Sequence, residues 1–150
     1  MRIEYLKDDV EVLRPLANIW ALHGKSNGVG IDVHVDTMVS MARKFVESDS
    51  NIVIVVWEDK EPVGVLALAS GPSFLGRQRF AVEQHWYVKP ESRGVGVELL
   101  EEAFMWAATH GCSHLIMGSS RLGGMEEKVR KFYEGHGFKP FSQSYILEVA

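Results

Sequence analysis

Residues 51–70 read NIVIVVWEDKEPVGVLALAS, two apolar runs separated by the polar stretch Glu58 to Glu61. A membrane-spanning helix needs about 20 consecutive apolar residues, so neither run can cross a bilayer. Both are rich in β-branched residues and read as strands joined by a tight turn. A strand with one wet face alternates apolar and polar residues, and these do not. They predict a sheet covered on both faces.

The rest of the chain supplies the cover. Arg2 to Leu6 reads as a short strand. Asp8 and Asp9 can cap a helix that places Leu13, Leu16, Ala17 and Trp20 on one face, with Pro15 either interrupting it or marking its first turn. HGKSNGVGID, from His23 to Asp32, is a loop by composition. Asp36 or Thr37 can cap a second helix whose Met38, Met41, Ala42 and Phe45 share a face, and that stripe reads as core. RFAVEQHWYV is a further strand ended by Lys89-Pro90. Leu99, Leu100, Ala103, Phe104 and Ala107 then recur at helical spacing, with Gly111 as a stop. SHLIMG reads as a buried strand, residues 123–138 as a helix carrying Val129, Phe132, Tyr133 and His136 on one face, and the end of the chain as one or two strands. The expected order is β-α-α-β-β-β-α-β-α-β(-β). This is an α/β (α+β) fold with a mixed sheet of six or seven strands and helices on both faces.

With 150 residues and neither a repeat nor a Pro/Ser-rich linker, the chain is expected to form one domain over residues 1–150. A net charge of −4 argues against a nucleic-acid partner, which ordinarily needs a basic face. Cys112 is the only cysteine, so no intramolecular disulfide forms, and its surroundings read as inert packing. The N-terminus carries charges where an export signal would be apolar. A cytoplasmic protein with no membrane partner is expected.

Chemistry is concentrated in Tyr87-Val88-Lys89-Pro90-Glu91-Ser92-Arg93-Gly94-Val95-Gly96-Val97-Glu98-Leu99-Leu100. A strand stops at proline, a glycine-rich turn follows and a helix begins at once. Glycines leave backbone N–H groups bare, and a helix start adds unpaired donors at the positive end of its dipole. Such a turn suits a pyrophosphate, and Arg93 can add charge-assisted hydrogen bonds. A Rossmann fingerprint would need a third glycine and an early βαβ unit, and a Walker A loop would need G-K-[ST] directly after these glycines; this turn has neither.

The run V-x-P-x-x-R-G-x-G-x-x-L-L, Val88 to Leu100, resembles the acyl-CoA-binding motif of the GNAT superfamily, [QR]-x-x-G-x-[GA]. KFYEGHGF, Lys131 to Phe138, is similar to the same family's F-Y-x-x-x-G-F signature, and the hairpin Trp57 to Leu66 resembles its second and third strands. The resemblance implies acetyl-CoA as co-substrate. Backbone groups of Arg93, Gly94, Val95, Gly96, Val97 and Glu98 would wrap the pyrophosphate, and the strand end Trp86, Tyr87 and Val88 would meet the pantetheine arm. It also implies Tyr133 as general acid toward the leaving thiolate, and Ser120, with Ser119, where the family often has an asparagine contacting CoA. One position departs from the pattern: Glu98 stands where the family has Gly or Ala. A carboxylate there favours the helix dipole but could repel a pyrophosphate, unless it points to solvent with Glu101, Glu102 and Met105.

An ammonium must lose its proton before it attacks a thioester. Period-two alternation predicts that Glu83, His85 and Tyr87 share one strand face. The resemblance implies a carboxylate near Glu83 acting directly or through water, which makes Glu83 the first candidate base and His85 the second, with His85 and His23 also candidate substrate contacts. His23, Asp32 and His34 flank the first loop, but their spacing fits no standard zinc pattern and no metal is expected. The expected function is N-acetyl transfer from acetyl-CoA to a primary amine in a ternary complex. The alternative is a GNAT-fold binding or regulatory protein whose CoA binding has weakened or been lost. The final strands leave room for a homodimer.

Overall fold

A computed structural model describes residues 1–24, 28, 30–119 and 126–150. Five strands form one sheet in the order β1-β2-β3-β4-β5: Arg2–Leu6, Asn51–Glu58, Glu61–Pro72, Arg79–Val88 and Cys112–Ile116. The first four are antiparallel neighbours, and β5 runs parallel to β4. Among the described residues four helices accompany them: α1 (Arg14–Gly24), α2 (Val35–Phe45), α3 (Gly96–Thr109) and α4 (Glu126–Gly135). α3 is the crossover that a parallel β4/β5 pair requires.

The two apolar runs become β2 and β3, and both faces of the sheet are covered. Ile54, Val56, Leu66, Leu68 and Ala81 pack against Leu99, Ala103 and Trp106 of α3. Val53, Val55, Val65 and Tyr87 face the other way, against Leu13 just before α1, Leu16 of α1 and Val39 of α2. Their continuous hydrophobicity follows from this double burial. Gly64 of β3 lies under α3. A Cβ placed there would meet Leu99 Cδ1 at 3.1 Å, so the missing side chain is what lets Leu99 seat the helix start on the sheet.

Several boundaries differ from the sequence expectation. A 3-10 turn, Val10–Leu13, precedes α1, and Pro15 falls in the first turn of α1, where its missing N–H costs nothing. α2 is capped by neither Asp36 nor Thr37: the His34 ring Nδ1 accepts the backbone N–H of Thr37 at 3.3 Å. β5 is not a buried strand. It has β4 on one side only, and Ser113 and His114 are exposed. Residues 139–150 form no strand. Pro140 lacks a ladder donor, and Ser142 to Ser144 offers no glycine for a tight hairpin. Among the described residues, no helix is long and apolar enough to cross a membrane.

Candidate functional site

β4 carries most of the candidate residues, and its pairing contains an irregularity. Ala67 pairs with His85 but Leu68 pairs with Glu83, leaving Gln84 as an extra residue. Such a bulge resets the alternation of the strand. Glu83 therefore does not share a face with His85 and Tyr87, as simple alternation predicts. It shares the pairing position of Leu68, whose side chain lies in the α3 core.

The bulge coincides with a fork. β4 pairs with β5 from Arg79 to Val82 only, whereas its pairing with β3 continues to Val88. The N–H of Lys89 donates to the Val63 carbonyl at 2.9 Å. Alternation then turns the backbone groups of Tyr87 and His85 toward β3 and those of Trp86 and Val88 into the gap beside β5. These two amides face this cleft between β4 and β5, and the backbone of Gly118, which follows β5, reaches Glu83 beside it.

Glu83 and Tyr133 meet in this cleft. Burial pushes the Glu83 carboxyl up to about 7, against the smaller opposing effect of a hydrogen bond from the Gly118 backbone N–H. Tyr133, from α4, donates its hydroxyl to the Gly118 carbonyl at 2.6 Å. Burial, and then the negative charge of Glu83, hold the Tyr133 phenol far above its usual range. Its proton is thus fully present at neutral pH and committed to Gly118. Trp86 closes the same side, its ring 5.6 Å from those of both Phe132 and Tyr133. The sequence marks Gly118 only as a glycine ending a strand. The bulge at Gln84 has no such mark.

His85, Tyr87 and His23 gather on the opposite face. His85 packs edge-on to Trp20 with ring centroids 5.1 Å apart, and burial lowers its pKa, leaving the imidazole neutral at pH 7. The Tyr87 hydroxyl lies 3.3 Å from His23 Nδ1. Neither histidine joins Glu83 and Tyr133.

The turn after β4 is a 3-10 segment, Pro90–Val95, running directly into α3. A Cβ at Gly94 would meet nothing within 4 Å, and one at Gly96 would make only an ordinary 3.5 Å contact with Trp86. The protein's own packing requires neither glycine; Gly94 is exposed and leaves the turn's backbone open there, while Gly96 is buried beside Trp86. This turn at Gly94, with the Trp86 and Val88 amides turned away from β3, fits a diphosphate followed by an amide-bearing arm. Arg93 is exposed with its guanidinium 5.8 Å from the centre of the Tyr87 ring, within reach of a cation–π contact. Glu98 does not point freely to solvent: it is half-buried, and one carboxylate oxygen is buried without a hydrogen-bond partner, as is Trp86 Nε1. Ser120 lies outside the described residues. Asp32 and His34 line a surface hollow apart from the fork. Among the described residues, no three His, Cys, Asp or Glu side chains come within metal-binding reach of one another.

The sequence model of the acetyltransferase (GNAT) family matches residues 20–138. No curated protein is significantly similar in sequence. Solved structures are similar over the whole chain at low identity. A ribosomal-protein-alanine N-acetyltransferase from Brucella melitensis biovar Abortus 2308 has a TM-score of 0.69 at 20% identity, covering 99% of this chain and 100% of the other. A predicted acetyltransferase from Clostridium acetobutylicum, solved with acetyl-CoA, has a TM-score of 0.70 at 18% identity, covering 98% and 96%. An aminoglycoside 6'-N-acetyltransferase from Acinetobacter baumannii has a TM-score of 0.71 at 13% identity, covering 99% of each chain.

Proposed function

The chain belongs to the GNAT family of acetyltransferases, and from that premise we propose that it transfers an acetyl group from acetyl-CoA to a primary amine by direct attack. The observation that carries this reading is the pairing of Glu83 and Tyr133 across Gly118 at the fork of the sheet. The open turn from Arg93 to Glu98 would receive the pyrophosphate. The Trp86 and Val88 amides would hold the pantetheine arm and polarise the thioester carbonyl.

In this scheme Glu83 takes the proton of the incoming ammonium. A carboxylate titrating near 7 is well matched to that task, because it is substantially ionised at neutral pH yet far more basic than an exposed glutamate. Tyr133 stays protonated throughout. Its raised pKa makes outright transfer to a thiolate unfavourable, so Tyr133 donates a hydrogen bond to the departing sulfur once its hydroxyl leaves Gly118. The second proton of the amine nitrogen passes through solvent to the thiolate, which leaves as coenzyme A thiol. Tyr133→Phe is expected to lower kcat by about tenfold to a hundredfold with little change in acetyl-CoA affinity. The same change removes one buried hydrogen bond and about 1 kcal/mol of stability, read by denaturant titration.

Calorimetric titration of acetyl-CoA tests the reading, beside thiol release with a panel of amines. Glu98 keeps a second reading in play, a GNAT-fold binding protein that has lost its cofactor, because its unpartnered carboxylate borders the open turn. Glu98→Ala is expected to tighten acetyl-CoA binding by about tenfold. Micromolar binding by the wild type supports the transferase. Binding seen only after Glu98→Ala supports the second reading.

The proposal extends to self-association. Among the described residues the outer edge of β5 pairs with no strand, and Tyr145, Leu147 and Val149, 87%, 83% and 89% exposed, alternate along a segment that pairs with nothing in the sheet. Sedimentation across a concentration series is expected to show a dimer.

A further inference from the structure

The α1/α2 face of the sheet holds a cavity of about 490 Å³, within the range of small-molecule sites. Leu16 of α1, Val39, Ala42 and Phe45 of α2, and Val65 and Ala67 of β3 contribute apolar walls. The polar contributions are Lys44, Gln84, His85 and the tyrosine Tyr87, and the lining contains no carboxylate among the described residues. Met38 and Met41 are shared with a wider outer hollow whose lining includes Asp32. The methionine stripe that reads as core is therefore the lip of a hollow, and Met41 is 58% exposed.

This cavity reaches the fork from behind. Gln84 and His85 line it, while Glu83, the preceding residue, belongs to the opposite side. The bulge is what lets consecutive residues serve both. The open turn, Trp86 and Tyr133 all lie on the α3/α4 side, so an amine entering from the cavity would meet the reacting carbon across the strand gap. A polycation in the cavity would give up water from several ammonium groups with no carboxylate to replace it, and beside the Lys44 cation. A single amine on an apolar body would leave only its reacting nitrogen to satisfy, at the polar end formed by Gln84 and His85.

We propose that this cavity binds the acceptor, and that the acceptor is a monoamine on an aryl or alkyl body rather than a polyamine or aminosugar. The proposal rests on the transferase reading above for what happens at the amine, and on the cavity's lining for what carries it. 2-Phenylethylamine and spermidine serve as probes, each with acetyl-CoA, in a thiol-release assay. The aryl amine is expected to show a kcat/KM about 30-fold higher, the effect of burying one ring. Ala42→Trp, which fills the cavity, is expected to lower that value by about tenfold while acetyl-CoA affinity stays within about twofold, a comparison that also shows the variant is folded.

Preference for spermidine would overturn the proposal. So would an aryl-amine rate untouched by Ala42→Trp in a variant that still binds acetyl-CoA, or a preference for long-chain acyl-CoA that this variant abolishes, which would make the cavity an acyl pocket. Calorimetry of 2-phenylethylamine with wild type and Ala42→Trp needs no transfer. If no amine is acetylated but this binding exists and is lost in the variant, the cavity assignment stands and the transferase reading falls. If the aryl amine does not bind and is not acetylated, the assignment falls.

Discussion

Glu83→Gln is expected to lower kcat/KM for amine acetylation by about 10²- to 10³-fold, the usual contribution of a positioned base. The wild-type rate should climb as pH rises through about 7, where the buried carboxyl ionises, and the variant should lose that inflection. The same substitution should stabilise the fold. The ordinary glutamate value is 4.5, and burial raises it to about 7 in the folded protein. Below 4.5 both states hold the proton and nothing differs. Between 4.5 and 7 the unfolded chain releases it while the folded protein keeps it, so stability falls as pH rises. Above 7 the penalty is complete, at most about 3 kcal/mol. Denaturant titration of Glu83→Gln should therefore show a gain at pH 8 that vanishes at pH 4. Activity lost together with stability gained above pH 7 is the signature of a strained base. A variant as pH-sensitive as the wild type would move the base elsewhere.

Leu99→Ala carries the largest expected loss of stability. Leu99 is fully buried and stands on Gly64, so removing its isobutyl group leaves a cavity between α3 and the sheet. Such truncations cost about 3–5 kcal/mol, and for a chain of this length that lowers the melting temperature by roughly 10 °C. Because Leu99 seats the first turns of α3, acetyl-CoA affinity should fall with it. Phe104→Ala, on the same helix but 68% exposed, is the control and should stay within about 0.5 kcal/mol. Thermal melts and calorimetry on the two variants check both statements.

The parts of the fold legible in the sequence are those where burial is reflected in periodicity. β2 and β3 are apolar throughout because helices cover both sides, and α3 shows the spacing of Leu99, Leu100, Ala103 and Ala107 because one stripe meets the sheet. Glu83 and Tyr133 were named from different kinds of argument, and their meeting could not be read. Alternation put Glu83 on the wrong face because a bulge at Gln84 has no glycine or proline to announce it. Gly118 was invisible for a related reason: its backbone, rather than a side chain, joins the pair. The cap of α2 was misplaced because a histidine ring does what Ser, Thr or Asp ordinarily does. The last strands were expected from composition alone, and a strand needs a partner as well as a composition.

The half-paired β4 has a consequence for hydrogen exchange. Over Arg79–Val82 the strand is flanked on both sides, and beyond that its outward amides, at Trp86 and Val88, have no neighbouring strand among the described residues. In the free protein these two amides should therefore exchange faster than those of His85 and Tyr87, which β3 protects. On the proposed reading the bound arm takes the place of the missing neighbour, so adding acetyl-CoA should slow exchange at alternate residues of one strand. In that sense the co-substrate completes the sheet.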